Sequence, residues 1–224
     1  KGCMYMDKVL SALLTVPYWC SFRKPNTINV HMTYPVPPIT TIYGLIANAL
    51  GLRQDDYSLM DNICIGLSIE KWGEEVDSYS NILKSTRSGP TYYYSTSVMR
   101  QKIIKPQFYI YVLAKEDLVE KIEDALKDPD RILYLGESDD LVEISQIEVH
   151  DVQVVMTKCV DSIIAKPKDL MPVTPGTKII SMPKVFAYET RSPNVINEVY
   201  YVNKRVEFEE NVEGLKVGDR VIAL

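Results

Sequence analysis

The chain has 224 residues, 46% of them hydrophobic, and a net charge of −5 at neutral pH. This composition supports a sizeable core and excludes a disordered chain. The longest apolar run, residues 9–20, is about a dozen residues long, whereas a membrane-spanning helix needs about 20. The start of the sequence lacks the pattern of a signal peptide. We therefore expect no membrane segment.

The cysteines and histidines are widely spaced along the chain. No two cysteines form a Cys-x-x-Cys pair, and only His31 and His150 could complement them in a metal site. This spacing predicts neither a zinc site nor a disulfide framework. We expect reduced thiols, no bound metal, no cofactor and a cytoplasmic location.

The first part of the sequence predicts a strand followed by a helix. Residues 9–16 are almost continuously apolar, which is typical of a buried strand. After a proline-rich connection at residues 34–38, Thr40 and Thr41 stand where a helix N-cap is expected. Apolar residues then recur with helical spacing until Gly51, which predicts a one-faced helix with a defined start and end.

Three further strands and a second helix follow. Residues 63–69 alternate apolar with small or polar side chains, which predicts a strand with one buried face. Residues 107–113 predict the next strand, and Glu116–Lys127 has the spacing and the i,i+4 charge pairs of a helix. Residues 142–155 are β-rich, and their alternation slips near Ser145 as it would at a β-bulge.

These elements follow the order βαββαβ. The order predicts an α+β, ferredoxin-like (RRM-like) domain over residues 1–160, with two helices on one face of a four-stranded antiparallel sheet. Prolines crowd the chain from about Asp161, and short strand-like runs follow at 198–202, 205–208 and 220–224. Residues 161–224 are therefore predicted to form a proline-rich connection and a small β-rich C-terminal appendage, with a strand-turn-strand at 217–221.

A strongly basic segment interrupts the predicted domain between its second and third strands. Residues 78–115 carry six Lys or Arg and no Asp or Glu, so their charge is +6 within an acidic chain. Turn residues at 88–90 predict an extended hairpin that spans about residues 79–106. Its cations could neutralise phosphates and its tyrosines could stack on unpaired bases. The alternative is a solvated hairpin whose charges only keep a sheet edge soluble.

Five short motifs, in this order, resemble family five of the CRISPR-associated proteins over about residues 8–155. They are Ser21-Phe22-Arg23-x-Pro25, Thr33-Tyr34-Pro35-x-Pro37-Pro38, Thr41-Ile42-Tyr43-Gly44-Leu45-Ile46-Ala47, Pro106-Gln107-Phe108 and Tyr134-Leu135-Gly136-x-Ser138. The resemblance implies a member of the RAMP superfamily, with a ferredoxin-like domain and an inserted hairpin, or thumb. It favours RNA binding over the solvated-hairpin interpretation.

The resemblance also implies a role and partners. Family members sit at one end of type I, Cascade-type interference complexes and hold the 5′ handle of the CRISPR RNA. They abut the first backbone subunit, of family seven, and the large subunit, of family eight or its equivalent. The implied ligand is single-stranded CRISPR RNA, and target DNA is met only indirectly through the complex.

The family pattern assigns RNA contacts to three parts of this chain. Arg23 and Lys24 follow the first strand, and Gly136 and Ser138 lie in a loop that precedes the last strand of the domain. The thumb contributes Lys84, Arg87, Tyr92, Tyr93, Tyr94, Arg100, Lys102 and Lys105. Many relatives have a basic residue at the position of Glu137, whose carboxylate would repel a phosphate, so this loop ranks below the thumb.

We expect no catalytic residue. In one subtype the family-five protein cuts the precursor RNA with a Tyr, Lys and His cluster, but here Lys102 is followed by Ile103. The alternatives are a metal-independent endoribonuclease that processes precursor CRISPR RNA, or an assembly module that binds only proteins. The net charge of −5 further predicts modest affinity for free RNA, which assembly with basic neighbouring subunits would enhance.

Overall fold

The computed structural model describes residues 6–25, 27, 30–54, 56–85, 93–167, 169–187 and 194–223. Within them the chain forms sixteen strands and two helices. In chain order these are β1 (Lys8–Thr15), β2 (Trp19–Cys20), β3 (Phe22–Arg23), β4 (Val30–His31), β5 (Thr33–Tyr34), α1 (Ile39–Ala49), β6 (Cys64–Lys71), β7 (Glu74–Ser85), β8 (Tyr93–Ile104), β9 (Gln107–Ala114), α2 (Glu116–Lys127), β10 (Glu143–Asp151), β11 (Val154–Val160), β12 (Ile164–Ala165), β13 (Lys178–Ala187), β14 (Asn194–Val202), β15 (Val206–Val217) and β16 (Arg220–Ile222).

A four-stranded antiparallel sheet in the order β10-β1-β9-β6 forms the centre of the molecule. Along β1 successive side chains point to opposite faces of the sheet. Leu10 and Leu14 pack with both helices into the main core, whereas Val9 belongs to a second apolar cluster. The predicted α+β class and the buried first strand are confirmed.

The two helices differ in how well the sequence predicted their ends. Helix α2 has the predicted bounds, and Lys127 Nζ lies 2.6 Å from the carboxylate of Glu123. Helix α1 begins earlier than predicted, because Pro38 is its N-cap and no side chain caps it. The expectation that Thr40 or Thr41 would be the N-cap is therefore wrong. Proline has the backbone angle that a helix start needs, and the carbonyl of Pro38 accepts from the N–H of Thr41 at 2.9 Å.

The pairing of β1 with β10 contains the predicted bulge. Ser11 pairs with Glu148, but Leu13 pairs with Ser145, so β10 has one extra residue in this interval. Gln146 lies inside the interval and has a positive φ of 51°. A bulge with a left-handed residue bends its strand and increases the local twist.

Strand β6 is buried on both faces, not on one as predicted. Ser68, expected on the open face, is 1% exposed, and its hydroxyl lies 3.1 Å from that of Tyr111 on β9. Apolar residues of β15 and β16 cover this side of the sheet, and Ile222 shares a cluster with Val9 and Tyr111. The residue pattern of one β-strand does not reveal that residues from the far end of the chain pack on its second face.

The C-terminal part of the chain forms two three-stranded sheets, β11-β15-β16 and β12-β14-β13. The predicted strand-turn-strand is confirmed, with Gly218 at a φ of +57° between β15 and β16. Met182, Tyr200 and Val202 are buried in the same core as helix α1. The C-terminal sheets are therefore packed into the body of the molecule.

Two further observations bear on the expectations from composition. None of the described helices is both long enough and apolar enough to cross a membrane.

Cys64 is disulfide-bonded, whereas Cys20 and Cys159 are free thiols. The expectation that all cysteines are reduced is therefore wrong for Cys64.

Candidate nucleic-acid interface

Strands β7 and β8 form the long hairpin that the basic segment predicted. Their antiparallel register is unbroken from the pair Glu74 and Ile104 to the pair Ser85 and Tyr93. The hairpin is inserted between β6 and β9 of the central sheet. Arg87 and Tyr92 lie outside the described residues, and Lys84 and Tyr94 are opposite each other in the register.

Large side chains are exposed along one face of this hairpin. Tyr79, Leu83 and Tyr93 are each more than 70% exposed. They occupy alternate strand positions that face the same side, because side chains opposite one another or two apart share a face. Aromatic rings held in this way can stack on unpaired bases.

The segment that carries Arg23 and Lys24 packs against the base of the hairpin. Strand β2 pairs with β8 through Cys20 and Ile103, and β4 runs parallel to β8 at Arg100. Arg23 is exposed, and its Nη2 donates to the carbonyl of Thr27 at 2.8 Å. Lys24 places Nζ 5.5 Å from the ring centroid of Tyr34, which is a cation–π contact.

Two hairpin cations and two loop carboxylates form what we call the base cluster: Arg100, Lys102, Glu137 and Asp140. Glu137 Oε2 lies 3.0 Å from Arg100 Nη1 and 3.1 Å from Lys102 Nζ. Lys102 Nζ also lies 3.0 Å from Asp140 Oδ1. The residues 134–141 that hold both carboxylates are thereby fixed to the hairpin, and the local charge sums to zero.

Asp140 is the interior member of the base cluster. Its side chain is fully buried, and Oδ2 accepts the backbone N–H groups of Ser21 at 2.8 Å and Glu137 at 2.9 Å. Burial raises its pKa, and the hydrogen bonds from these N–H groups and from Lys102 oppose that shift. Asp140 therefore joins the β2–β3 segment, the loop and the hairpin at one point.

Lys102 keeps its charge in this setting. Burial lowers its pKa, but the hydrogen bonds to Asp140 and Glu137 raise it by more, so the net shift is upward from 10.5. Its side chain is only 11% exposed. Lys102 holds the loop in place, and its ammonium group is already engaged by two carboxylates.

Gly136 is required by the packing of the loop. Its φ is +120°, and a Cβ at this position would lie 2.5 Å from the carbonyl oxygen of Ser21. The glycine therefore lets the loop approach the β2–β3 segment, a protein contact that the sequence did not predict. Ser138, two residues later, is exposed.

The structure thus brings half of the sequence-predicted site residues to the base of the hairpin, from three separate segments. Arg23 and Lys24 come from the first, Arg100 and Lys102 from the second, and the Gly136–Ser138 loop from the third. Lys105 is exposed at the end of β8 with a φ of 47°, and its N–H donates to the carbonyl of Tyr18.

Sequence reasoning missed Asp140 and misjudged Glu137. Asp140 follows another aspartate in an acidic run, and nothing in the sequence separates the buried carboxylate from its exposed neighbour. Glu137 was expected only to repel a phosphate, and in the structure it pairs with two of the cations assigned to phosphates.

One group of carboxylates in the described residues is spaced to hold a metal ion. The ligand oxygens of Glu137, Asp139 and Asp140 lie within 4.8 Å of one another. Lys102 Nζ lies within 3.1 Å of two of these carboxylates, so its ammonium group supplies the positive charge there.

The two histidines lie on separate strands. His150 is on β10, with Nε2 3.2 Å from the hydroxyl of Ser11 and 3.6 Å from Glu148. His31 is buried on β4 and pairs in register with Arg100. Tyr43, from the third motif, is buried on α1 and donates its hydroxyl to the carbonyl of Ile63 at 3.1 Å.

Three solved structures share the fold of this chain. A chain of a "CRISPR RNA-guided surveillance complex" has a TM-score of 0.65 at 16% identity, with 88% of this chain and 90% of that chain covered. A type III-B Cmr-beta complex bound to cognate target RNA and AMPPnP contains a chain with a TM-score of 0.55, 11% identity and coverages of 88% and 86%. A CRISPR protein from Archaeoglobus fulgidus has a TM-score of 0.52, 12% identity and coverages of 97% and 98%.

The sequence itself was compared with known families and proteins. No curated protein matches it. A family model described as "CRISPR-associated protein (Cas_Cas5)" matches residues 12–185, which is more than three quarters of the chain. The resemblance found in the short motifs is therefore confirmed, and the chain belongs to the Cas5 family of CRISPR-associated proteins.

Proposed function

We propose that this protein is a non-catalytic RNA-binding subunit of a type I CRISPR surveillance complex, which binds the 5′ handle of the CRISPR RNA and caps the backbone filament. The observation that carries the proposal is the convergence, at the base of the hairpin, of cations from separate segments. Arg23 pairs in register with Thr33, whose backbone N–H donates to Gln101 Oε1 at 3.1 Å, and Gln101 is next to Arg100 on β8.

This arrangement suits the chemistry of single-stranded RNA. Guanidinium groups bind phosphate oxygens in a bidentate manner, and the exposed Arg23 has donors directed at solvent as well as at Thr27. The exposed rings of Tyr79 and Tyr93 supply surfaces on which splayed bases can stack. Contacts of both kinds are needed to hold a short unpaired 5′ end.

Fold and assembly support the same role. The strand order β10-β1-β9-β6, with α1 after β1 and α2 after β9, is the ferredoxin-like order expected of RAMP proteins. The most similar of the three solved structures described above is part of an RNA-guided complex. In the cell, the partners would be the family-seven backbone subunit, the family-eight large subunit or its equivalent and, through the complex, target DNA. The protein would act in the cytoplasm.

We propose no nuclease activity for this chain. Lys102, the lysine considered for a processing cluster, is 11% exposed and bonded to two carboxylates, so it is poorly placed to act on RNA. The test is incubation of the purified chain with a repeat-derived RNA in EDTA. Intact RNA is expected, and cleavage that persists in EDTA would make the protein a metal-independent endoribonuclease.

RNA binding is tested by fluorescence anisotropy with a labelled single-stranded RNA from the 5′ end of the processed repeat. The variant Arg23→Gln/Lys24→Gln should bind about tenfold more weakly than wild type, and its affinity should fall less steeply with salt, the slope of log affinity against log salt changing by about 1.4 for two lost phosphate contacts. Lys121→Gln/Lys158→Gln is the matched control. It removes two exposed cations elsewhere and changes the net charge equally.

The two double variants separate a local contact from a general effect of charge. Equal losses in both would show that only net charge matters, and an unchanged Arg23→Gln/Lys24→Gln variant would remove the β2–β3 segment from the interface. The same measurements with the backbone subunit present should give tighter binding. If the RNA affinity stays intact and the subunit no longer associates, the surface binds protein and not RNA.

A further inference from the structure

The Glu137 carboxylate lies between two cations at the base of the hairpin. One carboxylate oxygen, Oε2, accepts from Arg100 Nη1 at 3.0 Å and lies 3.1 Å from Lys102 Nζ. A single anionic oxygen between a guanidinium and an ammonium group is also the arrangement that non-bridging phosphate oxygens adopt with Arg and Lys. The free protein therefore carries its own anion in the candidate site.

The base cluster has an inner and an outer layer that differ in exposure. The inner pair, Lys102 and Asp140, is 11% and 0% exposed, and Asp140 is further held by two backbone N–H groups. The outer pair, Arg100 and Glu137, is 23% and 25% exposed. Solvent and ligands can reach the outer pair, whereas the inner pair is fixed by the fold.

The outer pair is also the one that water can screen, because both of its side chains are partly exposed. Glu137 accepts a hydrogen bond from Arg100 Nη1, and Arg100 Nε is buried with no hydrogen-bond partner in the described part of the chain. A guanidinium has five N–H donors, so this pairing leaves capacity for another acceptor. Partly exposed ion pairs contribute little to stability and exchange readily with other ions.

We infer that Glu137 is a specificity-determining residue of the RNA site, because its carboxylate occupies Arg100 until an RNA phosphate displaces it. This inference rests on the proposed function. The exchange leaves the inner pair intact, and Lys102 and Asp140 continue to hold the loop while the Glu137 side chain moves toward solvent. A ligand that binds at Arg100 must therefore gain enough binding free energy at Arg23, Lys24 or the hairpin to offset the lost ion pair.

One consequence is discrimination between ligands. A lone anion competes with a carboxylate that is already tethered at high effective concentration, so it should bind poorly at Arg100. A polynucleotide that is held by several neighbouring contacts also presents its phosphate at high effective concentration. Glu137 therefore disfavours isolated phosphates and short fragments relative to an RNA that fills the whole surface.

The test compares two substitutions in the same loop that remove one negative charge each. Glu137→Gln should bind the labelled 5′-handle RNA about fivefold more tightly than wild type and steepen the log–log salt dependence by up to about one unit, because Arg100 becomes available to a phosphate. Asp139→Asn is the matched control. Asp139 is exposed, with no ion pair to a described cation, and its substitution should change affinity less than twofold.

A double-mutant cycle with Arg100→Gln identifies the mechanism. If Glu137 acts by occupying Arg100, then Glu137→Gln should have no effect on affinity once Arg100 has been replaced. An equal gain in both backgrounds would overturn the inference in favour of a general charge effect, and so would equal gains for Glu137→Gln and Asp139→Asn. Thermal unfolding of each variant shows whether the loop has stayed in place.

The outcomes also separate this inference from the proposed function. Loss of binding in Arg23→Gln/Lys24→Gln together with an unchanged Glu137→Gln variant would leave the RNA-binding role intact and overturn the role of Glu137. If the wild type binds no handle RNA, alone or with the backbone subunit, the proposed function fails and the inference fails with it.

Discussion

Lys102 and Asp140 form a buried ion pair on which the shape of the candidate interface depends. In Lys102→Ala the carboxylate of Asp140 would keep its two backbone N–H donors but lose its countercharge within the protein interior. Breaking one partner of a buried pair typically costs about 3 kcal/mol. We expect a loss of that size in the free energy of unfolding, measured by urea denaturation. Lys121→Ala, on the exposed surface of α2, should cost less than about 0.5 kcal/mol.

The difference in unfolding free energy between wild type and Lys102→Ala should depend on pH, because the pKa of Lys102 is shifted in the folded state. The pKa of Lys102 is raised in the folded state, so its contribution to stability is complete below the unfolded value near 10.5 and is lost as pH rises through the folded value. The gap between wild type and Lys102→Ala should therefore stay constant from about pH 7 to 9 and narrow above that unfolded value. If Lys102→Ala is as stable as Lys121→Ala, Lys102 does not hold the loop in place and remains a predicted RNA contact.

At the scale of single residues, the sequence predicts that two cations share a face of a strand, but it does not predict what they contact. Arg100 and Lys102 are two apart on a strand, so their shared face follows from the period of a β-strand. Their partners Glu137 and Asp140 are 37 and 38 residues further along the chain. No periodicity connects residues so far apart in sequence, and only the tertiary fold shows that these cations are neutralised.

At the scale of elements, the hairpin β7–β8 is stabilised mainly by pairing with itself. Its register is continuous over twelve residue pairs, and the large side chains Tyr79, Leu83 and Tyr93 along it are exposed. These side chains contribute little to the core, and under the proposed function they are the ones that contact RNA.

Shortening the hairpin should separate folding from binding. Replacing residues 82–96 by an Asn-Gly turn joins Asn81 to Ser97, which are opposite each other, and keeps the buried Val98. The thermal unfolding midpoint should shift by no more than about 4 °C, equivalent to about 1 kcal/mol. The affinity for handle RNA should fall at least tenfold, because the tip cations and Tyr93 are removed.

The intact chain and a hairpin that keeps its length but carries Tyr79→Ser and Tyr93→Ser are the controls for this experiment. The serine variant should lose part of the affinity while its salt slope stays unchanged, since stacking is not a charge contact. A shortened chain that binds RNA as well as wild type would confine the interface to the base cluster and the β2–β3 segment.

The elements that were predicted correctly are those whose signal is local. The periodicity of α2, the apolar run of β1 and the slip of the bulge in β10 can each be read from a few neighbouring residues. The burial of Ser68 on β6 could not be read in this way, because the residues that cover it come from β9 and the C-terminal strand β16. Arg220 of β16 lies 2.6 Å from Glu70 and 4.4 Å from the ring centroid of Tyr109.

At the scale of the whole molecule, this cover also limits where the proposed RNA site can lie. In RRM-like domains the sheet face opposite the helices carries the aromatic residues that stack on bases. Here the guanidinium of Arg220 lies over Tyr109, and apolar residues of β15 and β16 pack on the same face. The central sheet is therefore covered by the protein itself, so the proposed RNA site is confined to the hairpin and its base.

The C-terminal strands are predicted to unfold together with the rest of the chain. Met182 on β13 is fully buried in the core that contains α1, whereas Met171, nearby in sequence, is 60% exposed. Met182→Ala should lower the free energy of unfolding of the whole chain by about 3 kcal/mol, because it leaves a cavity in the shared core. Met171→Ala should change it by less than about 0.5 kcal/mol.

Calorimetry on the same variants tests whether the chain is one cooperative unit. A single transition that moves as a whole in Met182→Ala is the expected result, and residues 1–160 alone should fail to fold because α1 would lose Met182, Tyr200 and Val202 as packing partners. Two transitions, of which only one responds to Met182→Ala, would make residues 161–224 the separate appendage that the proline-rich sequence predicted. The fragment 1–160 should then fold and bind handle RNA unaided.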